Sequence, residues 1–452
     1  MSSPQKEGLL GHIRRMREDA RSIFLAGIQA VQGQEAVFRH CRRHGDRLQL
    51  ADITVDLDGI GSIVVVGAGK ATASMAMAVE ALMGDRISEG IIAVPYGHRE
   101  PLARIRQMEA GHPIPDENGV AAACAILETV TRAKEGDLVI CLISGGGSAL
   151  MPLPAEGIRL SDKQETSRLL IQCGASIHEI NTVRKHLSAI KGGRLAQAAF
   201  PARVVTLIVS DVVGDDLDVI ASGPTVADRS TYGDARRVVE RYGLLDKLPG
   251  AVIERIDAGC KGLAPETPKP GEPWVERGET RIVASNIEAL LAAEAQAQEK
   301  GYHTLLLSSR FSGDTGATAA FHLAILEEII ASGKPICPPA CILSGGETTV
   351  VVRGAGLGGR NQEFVLHTVG RLPEDRPVVC FSAGTDGRDG PTDAAGAMAD
   401  STSLERAKRL DVDPEAYLAE NDSYSFFSRL GDGVITGNTG TNVMDLRLIL
   451  AR

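Results

Sequence analysis

The sequence predicts an α/β protein whose mostly parallel sheet is covered by helices on both faces. Three segments share one design, in which a continuous apolar run leads into a polar or glycine-rich turn: 62–71, 137–150 and 203–216. Continuous apolar runs are typical of strands buried on both faces, and their alternation with helical patterns is typical of parallel sheets. A chain of 452 residues is also long enough for two to three domains.

The other elements of the first half follow in order. Apolar residues at helical spacing predict a helix over 6–35. Further helical patterns cover 161–173 and 183–199, between the predicted strands. The stretch 261–278 contains four prolines and few apolar residues, which indicates an exposed connector or a domain boundary.

Strand and helix patterns resume after this connector. They predict a strand at 281–286, a helix that extends to about Lys300, and a strand at 303–310. Two strand-like runs within 340–354 are separated by a polar turn, which predicts a β-hairpin. One more strand is predicted within 376–387, and the apolar run at the C-terminus predicts a last strand tucked into a sheet.

Composition excludes several classes of partner. The net charge is −10, which argues against nucleic acid or an anionic membrane as a bulk partner, and only 4% of residues are aromatic. The sequence shows neither a signal-type apolar segment nor a run of 18 apolar residues, so we expect a cytoplasmic protein. None of the eight cysteines forms a CxxC pair, and Cys141, Cys341 and Cys380 lie in apolar runs, where we expect buried thiols.

Chemistry suited to phosphate and metal is concentrated between Ser344 and Ala397. Arg360 follows a glycine loop, where it suits a planar anion, and Asp386, Asp389 and Asp393 lie three and four residues apart. Mg²⁺ usually takes one or two carboxylates, so Asp386 and Asp389 are candidate metal ligands, although turn formation explains one or two of the three equally well. The candidate nucleotide-binding residues of this half are Gly345, Gly346, Glu347, Thr385, Asn438, Thr441 and Asn442.

In the first half, two glycine loops follow predicted strands. GAGKAT (67–72) opens a helix, where backbone amides and Lys70 favour an anion, although a tight turn with a solvated lysine is the alternative. SGGGSA (144–149) is suited to an anion-binding concavity or is a flexible loop. The candidate phosphate- and substrate-binding residues of the two loops are Gly69, Ser144, Gly145, Gly146, Gly147 and Ser148.

Two further groups of charged residues belong to the same half. Asp211 ends the third strand segment and is a candidate general base or Mg²⁺ ligand. Arg184 and Lys191 belong to a basic helical stretch, which is either a solvated face or one wall of a positively lined substrate cleft. No Walker A motif is present, and GAGKAT matches the dinucleotide fingerprint only loosely.

Taken together, these motifs resemble the class II glycerate 2-kinases that carry a C-terminal MOFRL domain. The matching segments run in order from about residue 62 to 446 and include VVGAGKAT, LISGGGSAL, IVSDVVGDD, GLGGRNQEF and TGNTGTNVMDL. The resemblance implies ATP-dependent phosphorylation of D-glycerate at its 2-hydroxyl, with Mg²⁺ or a similar divalent ion. It also implies functional roles for Lys70, Asp211 and Arg360. The segment 309–316 is less acidic than is common in the family.

The resemblance further implies two α/β domains with the site in the cleft between them. We place a larger Rossmann-like, three-layer domain at 1–260, a connector at 261–280, and a smaller MOFRL-type domain with a mixed sheet at 281–452. These boundaries leave open whether the last strand belongs to the C-terminal domain or returns to the N-terminal domain.

Three functions remain open from the residues alone. Our main hypothesis is a glycerate 2-kinase in which Lys70 and Arg360 neutralise the transferring phosphoryl group and Asp211 orients or deprotonates the hydroxyl. The alternatives are an NAD(P)H-dependent hydroxypyruvate reductase, a label often given to members of this family, and a non-catalytic nucleotide-binding regulator. We expect a monomer or a homodimer.

Overall fold

A computed structural model describes residues 3–452, with the side chains of 7–275 and 277–452. Its strands are β1 Cys41–His44, β2 Arg47–Leu50, β3 Ile53–Asp56, β4 Ile63–Ala68, β5 Ile87–Pro95, β6 Arg106–Ala110, β7 Leu138–Ser144, β8 Arg203–Val209, β9 Gly278–Ala284, β10 His303–Asp314, β11 Ala340–Thr349, β12 Val378–Gly384, β13 Gly396–Asp400, β14 Gly433–Val434 and β15 Asp445–Ala451. Its helices are α1 Ser3–Val31, α2 Gly33–His40, α3 Thr72–Met83, α4 Glu117–Thr131, α5 Gly147–Leu150, α6 Leu160–Gln172, α7 Ile177–His186, α8 Arg194–Ala199, α9 Tyr232–Arg241, α10 Gly250–Cys260, α11 Pro273–Glu276, α12 Asn286–Glu299, α13 Thr315–Ser332, α14 Arg360–Val369, α15 Ser403–Arg409, α16 Pro414–Ala419 and α17 Ser423–Leu430.

The chain divides into two compact units. The first unit is residues 33–283, and the second unit combines residues 3–32 with 284–452. Both units are α/β, which confirms the predicted fold class.

The first unit is built on a six-stranded sheet in the order β6-β5-β4-β7-β8-β9. The pairs from β6 to β8 are parallel. All six residues of β4, IVVVGA, are buried, as are all seven of β7. Helices α4 and α8 contribute to the core on one face of the sheet, and α3 contacts β5 and β7. The continuous apolar runs therefore form central parallel strands, as predicted from the sequence.

The second unit has a mixed six-stranded sheet in the order β10-β11-β15-β12-β13-β14. Strand β15 runs antiparallel to both β11 and β12. Helices α13, α14 and α17 share a core with one face of this sheet, and α1 and α12 share a core with the other face. The C-terminal strand is thus a central strand of the second unit.

This division of the chain differs from the predicted boundaries at two places. The N-terminal helix α1 belongs to the second unit, where Phe24 lies 4.9 Å from Phe381 between ring centroids and Met16 and Ile23 join the same core. The apolar face of α1 is buried against the second sheet. At the other place, part of the predicted connector forms α11, and β9 follows directly as the edge strand of the first sheet.

Three local predictions also need correction. The predicted helix over 6–35 is interrupted at Gln32, between α1 and α2. The predicted helix over 183–199 is two helices, α7 and α8, with a turn that contains Gly192 at φ +60° and Gly193 at φ +86°. The predicted hairpin at 340–354 is a single strand, β11, because its second apolar run lies exposed in an irregular segment, with Val352 76% exposed.

The cysteines and the helix lengths agree with the sequence analysis. All eight cysteines are free thiols, and Cys141, Cys341 and Cys380 are buried as predicted. Within residues 3–452, no helix combines the length and the apolar character that a membrane crossing requires.

Candidate active site

Three of the predicted residues follow neighbouring parallel strands of the first unit. Lys70 lies just after β4, Ser144 ends β7, and Asp211 lies just after β8. Because β4, β7 and β8 are adjacent and parallel, their carboxyl ends meet at one edge of the sheet. This edge is where open α/β sheets bind their ligands. Lys70 and Asp211 are both half-buried there.

The two glycine loops at this edge are bonded to each other. The backbone N–H of Lys70 donates to the Gly145 carbonyl at 2.8 Å, and the backbone N–H of Ala71 donates to Ser144 Oγ at 3.0 Å. Ser144 is fully buried, and its Oγ also lies 3.1 Å from Thr72 Oγ1. Ser144 and Gly145 therefore fix the backbone that carries Lys70, and their predicted contact with a ligand stays a prediction.

Gly146 brings two further side chains to the loop. Its φ is +83°, and a Cβ at this position would lie 2.8 Å from His112 Cδ2 and 3.5 Å from Lys70 Cγ. A side chain here would therefore be strained and would also displace His112. A Cβ on Gly147 would lie 2.9 Å from the Ala68 carbonyl oxygen, so the loop packs closely against the end of β4.

A pocket of about 660 Å³ opens beside Gly146 and Ser148. Its walls include His112 and Ile114 and the basic residues Lys163, Arg184 and Lys191. The full lining is His112, Pro113, Ile114, Pro115, Gly146, Ser148, Ala149, Pro152, Ser161, Lys163, Gln164, Glu165, Ser167, Arg168, Ile171, Arg184 and Lys191. The structure thus brings the predicted residues Gly146, Ser148, Arg184 and Lys191 to one cavity of the first unit.

The basic residues of this pocket are buried and strongly perturbed. Lys191 is 2% exposed and Lys163 is 8% exposed. Burial, with a smaller contribution from Arg184, lowers the pKa of Lys163 to about 7. Burial also lowers the pKa of Lys191 well below its ordinary range, with Lys163 and Arg184 adding to the effect. The pKa of Arg184 is lowered by burial as well.

The neighbouring basic residues have carboxylate partners. Lys185 Nζ donates to Asp218 at 2.9 Å and lies 3.4 Å from Asp228 Oδ1. Arg168 on α6 is exposed and pairs with Glu165. Among the described residues, by contrast, Lys163, Arg184 and Lys191 form no ion pair with a carboxylate. The structure therefore sorts the predicted basic stretch into paired and unpaired cations.

Sequence reasoning missed Lys163. It belongs to α6, where the run SDKQETSR suggests a solvated polar face. Its Nζ donates to the Pro152 carbonyl at 2.7 Å and to the Leu153 carbonyl at 3.3 Å, which holds the ammonium in the interior. Only the fold of 151–163 reveals this, and no local signal in the sequence marks it.

In the second unit, the predicted residues gather where β15 begins. Asp445 pairs in register with Gly346 of β11 and with Gly384 of β12. Because β15 is antiparallel to both neighbours, its first residue lies beside their carboxyl ends. Glu347 and Thr385 are the residues after these register positions, so they lie at the same edge.

Arg360 is held at this edge by a buried carboxylate. Its Nε and Nη2 donate to the two oxygens of Asp445 at 2.7 and 3.0 Å, and its Nη1 lies 2.7 Å from Glu347 Oε1. Asp445 is fully buried and also accepts from Arg447 Nη2 at 2.8 Å and from Asn361 Nδ2 at 2.9 Å. Burial opposes the charge of Arg360, but Asp445 and Glu347 outweigh it and raise the pKa of the guanidinium. Asp445 is a second residue that sequence reasoning missed.

Of the predicted metal pair, Asp386 and Asp389, the second is engaged by protein amides, and Mg²⁺ binding by either residue stays a prediction. Asp389 is 2% exposed, and its two oxygens accept from the backbone N–H groups of Asn361 and Gln362 at 3.0 and 2.8 Å and also from both side-chain amides. Burial nevertheless raises the pKa of this carboxyl. Asp389 therefore caps the first turn of α14, the helix that begins with Arg360. Across residues 3–452, no group of three or more His, Cys, Asp or Glu side chains is arranged to hold a metal ion.

The predicted nucleotide-binding residues are also part of the framework of this edge. A Cβ on Gly345 would lie 1.8 Å from Asn286 Oδ1, so only glycine fits there. Thr385 is fully buried, and its Oγ1 donates to the Met444 carbonyl at 2.7 Å. Thr441 Oγ1 donates to the Val31 carbonyl at 2.5 Å.

The other members of this group are more open or lie in the strand. Asn438 is exposed and Asn442 is half-buried, while Gly346 is buried within β11. Contact between nucleotide and any of these residues stays a prediction.

Comparison with known proteins identifies the family. A family described as a domain of unknown function, DUF4147, matches residues 19–257, and the MOFRL family matches residues 340–445. A D-glycerate 2-kinase of Thermotoga maritima is 42% identical over 385 residues, which are 85% of this chain and 89% of that protein. The chain belongs to the class II glycerate 2-kinase family.

Structure and names within this glycerate 2-kinase family agree with that assignment. A crystal structure of glycerate kinase from Thermotoga maritima superposes with a TM-score of 0.84 at 38% identity, covering 97% of this chain and 100% of that one. A relative from Agrobacterium vitis, 46% identical over 86% of this chain and 87% of its own length, carries the name hydroxypyruvate reductase. Both names used in the sequence analysis therefore occur among the relatives.

Proposed function

We propose that the protein transfers the γ-phosphoryl group of ATP to the 2-hydroxyl of D-glycerate, giving 2-phosphoglycerate and ADP. Relatives named for this activity support the proposal. The observation that carries it is the pocket of unpaired, buried cations beside the Lys70 loop, which suits a small anionic substrate next to a phosphate-binding backbone. We expect the reaction to take place in the cytoplasm.

The proposed reaction is a simple exchange of one bond. A P–O bond forms between the substrate 2-oxygen and the γ-phosphorus while the P–O bond to ADP breaks, and the hydroxyl proton passes to a base. Phosphoryl transfer depends on positioning and charge neutralisation more than on covalent chemistry by the protein.

Three side chains have proposed roles in this step. Lys70 and Arg360 each place a positive charge at the edge of their own sheet, which suits the developing charge on phosphate oxygens. Asp211 orients or deprotonates the substrate hydroxyl. A divalent ion would supply further charge neutralisation on the ATP phosphates when bound. No role for it is assigned to Asp389, whose oxygens are occupied by amides.

The enzyme assay that tests the proposal measures ADP release. D-glycerate, L-glycerate and hydroxypyruvate are compared as acceptors with MgATP. Conversion of the product by enolase, without added mutase, identifies 2-phosphoglycerate, because the 3-phosphate is not an enolase substrate. ADP release with none of the three acceptors would refute the proposal.

The same samples test the two alternatives. A hydroxypyruvate reductase would consume NADH or NADPH, which absorb at 340 nm, in the presence of hydroxypyruvate. A nucleotide-binding regulator would bind ATP without turnover. Loose agreement of GAGKAT with the dinucleotide fingerprint gives the reductase little support.

Asp211→Asn tests the proposed base. This variant keeps the size of the side chain and removes the carboxylate, so it should lower kcat and change the acidic limb of the pH–rate profile. A profile identical to that of the unmodified enzyme would exclude Asp211 as the base. Circular dichroism checks that the variant is folded.

A further inference from the structure

We propose that Lys163, together with Lys191 and Arg184, forms the subsite that binds the carboxylate of the hydroxy-acid substrate. This inference rests on the proposed function for the identity of the anion. It adds Lys163, which the motifs do not mark, and it assigns the pocket within the first unit to one end of the substrate.

The unpaired charges of these three cations are costly to bury. Lys163, which is 8% exposed, and Lys191, which is 2% exposed, line one cavity together with Arg184. Arg184 lowers the pKa of both lysines, and Lys163 also lowers the pKa of Lys191. Buried charges are normally paired, because desolvating a lone ion costs several kcal/mol. Among the described residues, these three cations form no ion pair with a carboxylate. A bound anion would remove this repulsion.

Both lysine side chains keep hydrogen-bond donors for a ligand. An ammonium carries three N–H donors. Lys191 Nζ donates to the Ser148 carbonyl at 2.8 Å, and Lys163 Nζ donates to the Pro152 and Leu153 carbonyls. Within the described residues, these bonds use one donor of Lys191 and two of Lys163. Each ammonium is thus anchored by backbone and keeps at least one donor for an anion in the cavity.

The position of these cations favours a carboxylate as the bound anion. The carbonyl anchors come from 148–153, the segment that directly follows the SGGGS loop, so the cations are fixed relative to that loop. A substrate that is anchored by its carboxylate at these cations would extend its hydroxyl end toward the Gly146 side of the cavity, next to Lys70. Arginine and lysine together match the two oxygens of a carboxylate. The wall also contains the apolar residues Pro113 and Ile114, and the carboxylate in the wall, that of Glu165, pairs with Arg168.

A purely structural role for Lys163 makes a different prediction. If Lys163 only donates hydrogen bonds to the Pro152 and Leu153 carbonyls, Lys163→Met lowers stability and leaves the affinity of the folded enzyme for substrate unchanged. If it binds the carboxylate, the variant loses affinity for D-glycerate and keeps its affinity for ATP. The two roles are therefore separable by binding measurements.

The experiment is calorimetric titration of the full chain with D-glycerate, alongside steady-state kinetics. Lys163→Met should weaken D-glycerate binding by about 10- to 100-fold, the range for a lost hydrogen bond to a charged group. The KM for glycerate should rise in the same proportion, while the KM for ATP stays within about twofold. The matched control is Arg132→Met in the same unit, an exposed arginine at the end of α4 whose charge Glu89 already neutralises and which is not part of the pocket lining; it should change neither constant.

Two further measurements keep the test decisive. Lys191→Met serves if Lys163→Met does not fold, and it should give the same selective loss. Titration in buffers of different ionisation enthalpy should show proton uptake when D-glycerate binds near pH 8, and Lys163→Met should reduce that uptake, because the lysine whose pKa burial lowers to about 7 is then absent. Unchanged affinity in folded Lys163→Met, or an equal loss in Arg132→Met, would overturn the assignment.

Failure of the inference is distinct from failure of the proposed function. If the enzyme releases ADP with D-glycerate while folded Lys163→Met retains the glycerate KM, the kinase function stands and the subsite is wrong. If no acceptor supports ADP release and calorimetry detects no D-glycerate binding, both are wrong. Binding without turnover that is lost in Lys163→Met supports the subsite and refutes the kinase.

Discussion

Replacement of Asp445 by Asn should be among the most destabilising single changes in the second unit. Asp445 is fully buried and is the carboxylate shared by Arg360 and Arg447. Arg447 is fully buried too, and its Nε and Nη1 have no hydrogen-bond partner among the described residues. Asparagine keeps the size of the side chain but removes the negative charge that both arginines contact directly.

The expected loss of stability depends on the contacts that Arg360 and Arg447 retain in the variant. In Asp445→Asn, Arg360 retains Glu347, whose side chain is 44% exposed, so that pair is partly screened by water. Arg447 retains a hydrogen bond to Thr348 at 3.2 Å and a position 5.6 Å from the Phe364 ring centroid. Removal of one partner of a buried ion pair costs about 3–5 kcal/mol, and we expect the free energy of unfolding to fall by that amount.

Urea unfolding followed by far-UV circular dichroism measures this loss. The single tryptophan, Trp274, lies in the first unit, so its fluorescence reports on that unit separately. The control is Asp393→Asn, an exposed carboxylate that accepts from Tyr424 at 2.7 Å, which should change stability by about 0.5 kcal/mol or less. In the double variant with Arg447→Met, part of the loss should be recovered, because both the carboxylate and one stranded cation are then absent.

Either of two results would contradict the stability prediction for Asp445→Asn. A loss below about 1 kcal/mol in Asp445→Asn would mean that the buried charges are solvated or rearranged far more easily than the contacts indicate. Strictly additive effects in the double variant would mean that Asp445 and Arg447 are not energetically coupled.

Three other outcomes are expected. Arg360→Ala should lower kcat/KM by about 10³-fold or more, by comparison with arginines that stabilise phosphoryl transfer, and near-normal activity in a folded variant would contradict this role. Gly146→Ala should destabilise the loop because φ is +83° and His112 lies 2.8 Å from the new Cβ; thermal unfolding measures the loss, and an unchanged midpoint would contradict it. Since burial lowers the pKa of Lys163 to about 7 and Arg184 adds to the effect, the charged form of Lys163 should bind D-glycerate best below pH 7, and affinity should fall as pH rises above 7. Calorimetry from pH 6 to 9 should show this fall in the unmodified enzyme and a smaller one in Lys163→Met, where Lys191 keeps its lowered pKa, and an equal fall in both would contradict the role of Lys163.

The order of strands and helices was predictable because the central strands carry their signal locally. Strand β4 reads IVVVGA and β7 reads LVICLIS, and such runs need burial on both faces wherever they lie. The run VVV at 350–352 carries the same signal but lies in an irregular segment, where Val352 is 76% exposed. Local hydrophobicity therefore cannot distinguish a strand from an exposed apolar segment, because pairing partners decide the outcome.

Site residues that stand in glycine motifs were predictable from the sequence. Site residues whose role depends on burial and on partners from distant segments were not. Lys70 and Arg360 stand beside glycines that mark sharp turns, so the sequence itself draws attention to them. Lys163 looks like any lysine on a polar helix, and Asp445 looks like a polar residue at the start of a strand. Both become informative only once burial and partners are known, because an isolated charge is costly only in the interior.

Arg360 illustrates how the second unit fixes a charge in advance. Asp445 holds the guanidinium by two hydrogen bonds, and Asp389 holds the first turn of the helix that Arg360 begins. Electrostatic stabilisation of a transition state is greatest when the stabilising group does not reorganise during the reaction. Asp389, a candidate metal ligand in the sequence, and Asp445, which the sequence did not mark, therefore share a physical role, which is to hold a cation in place before any substrate binds.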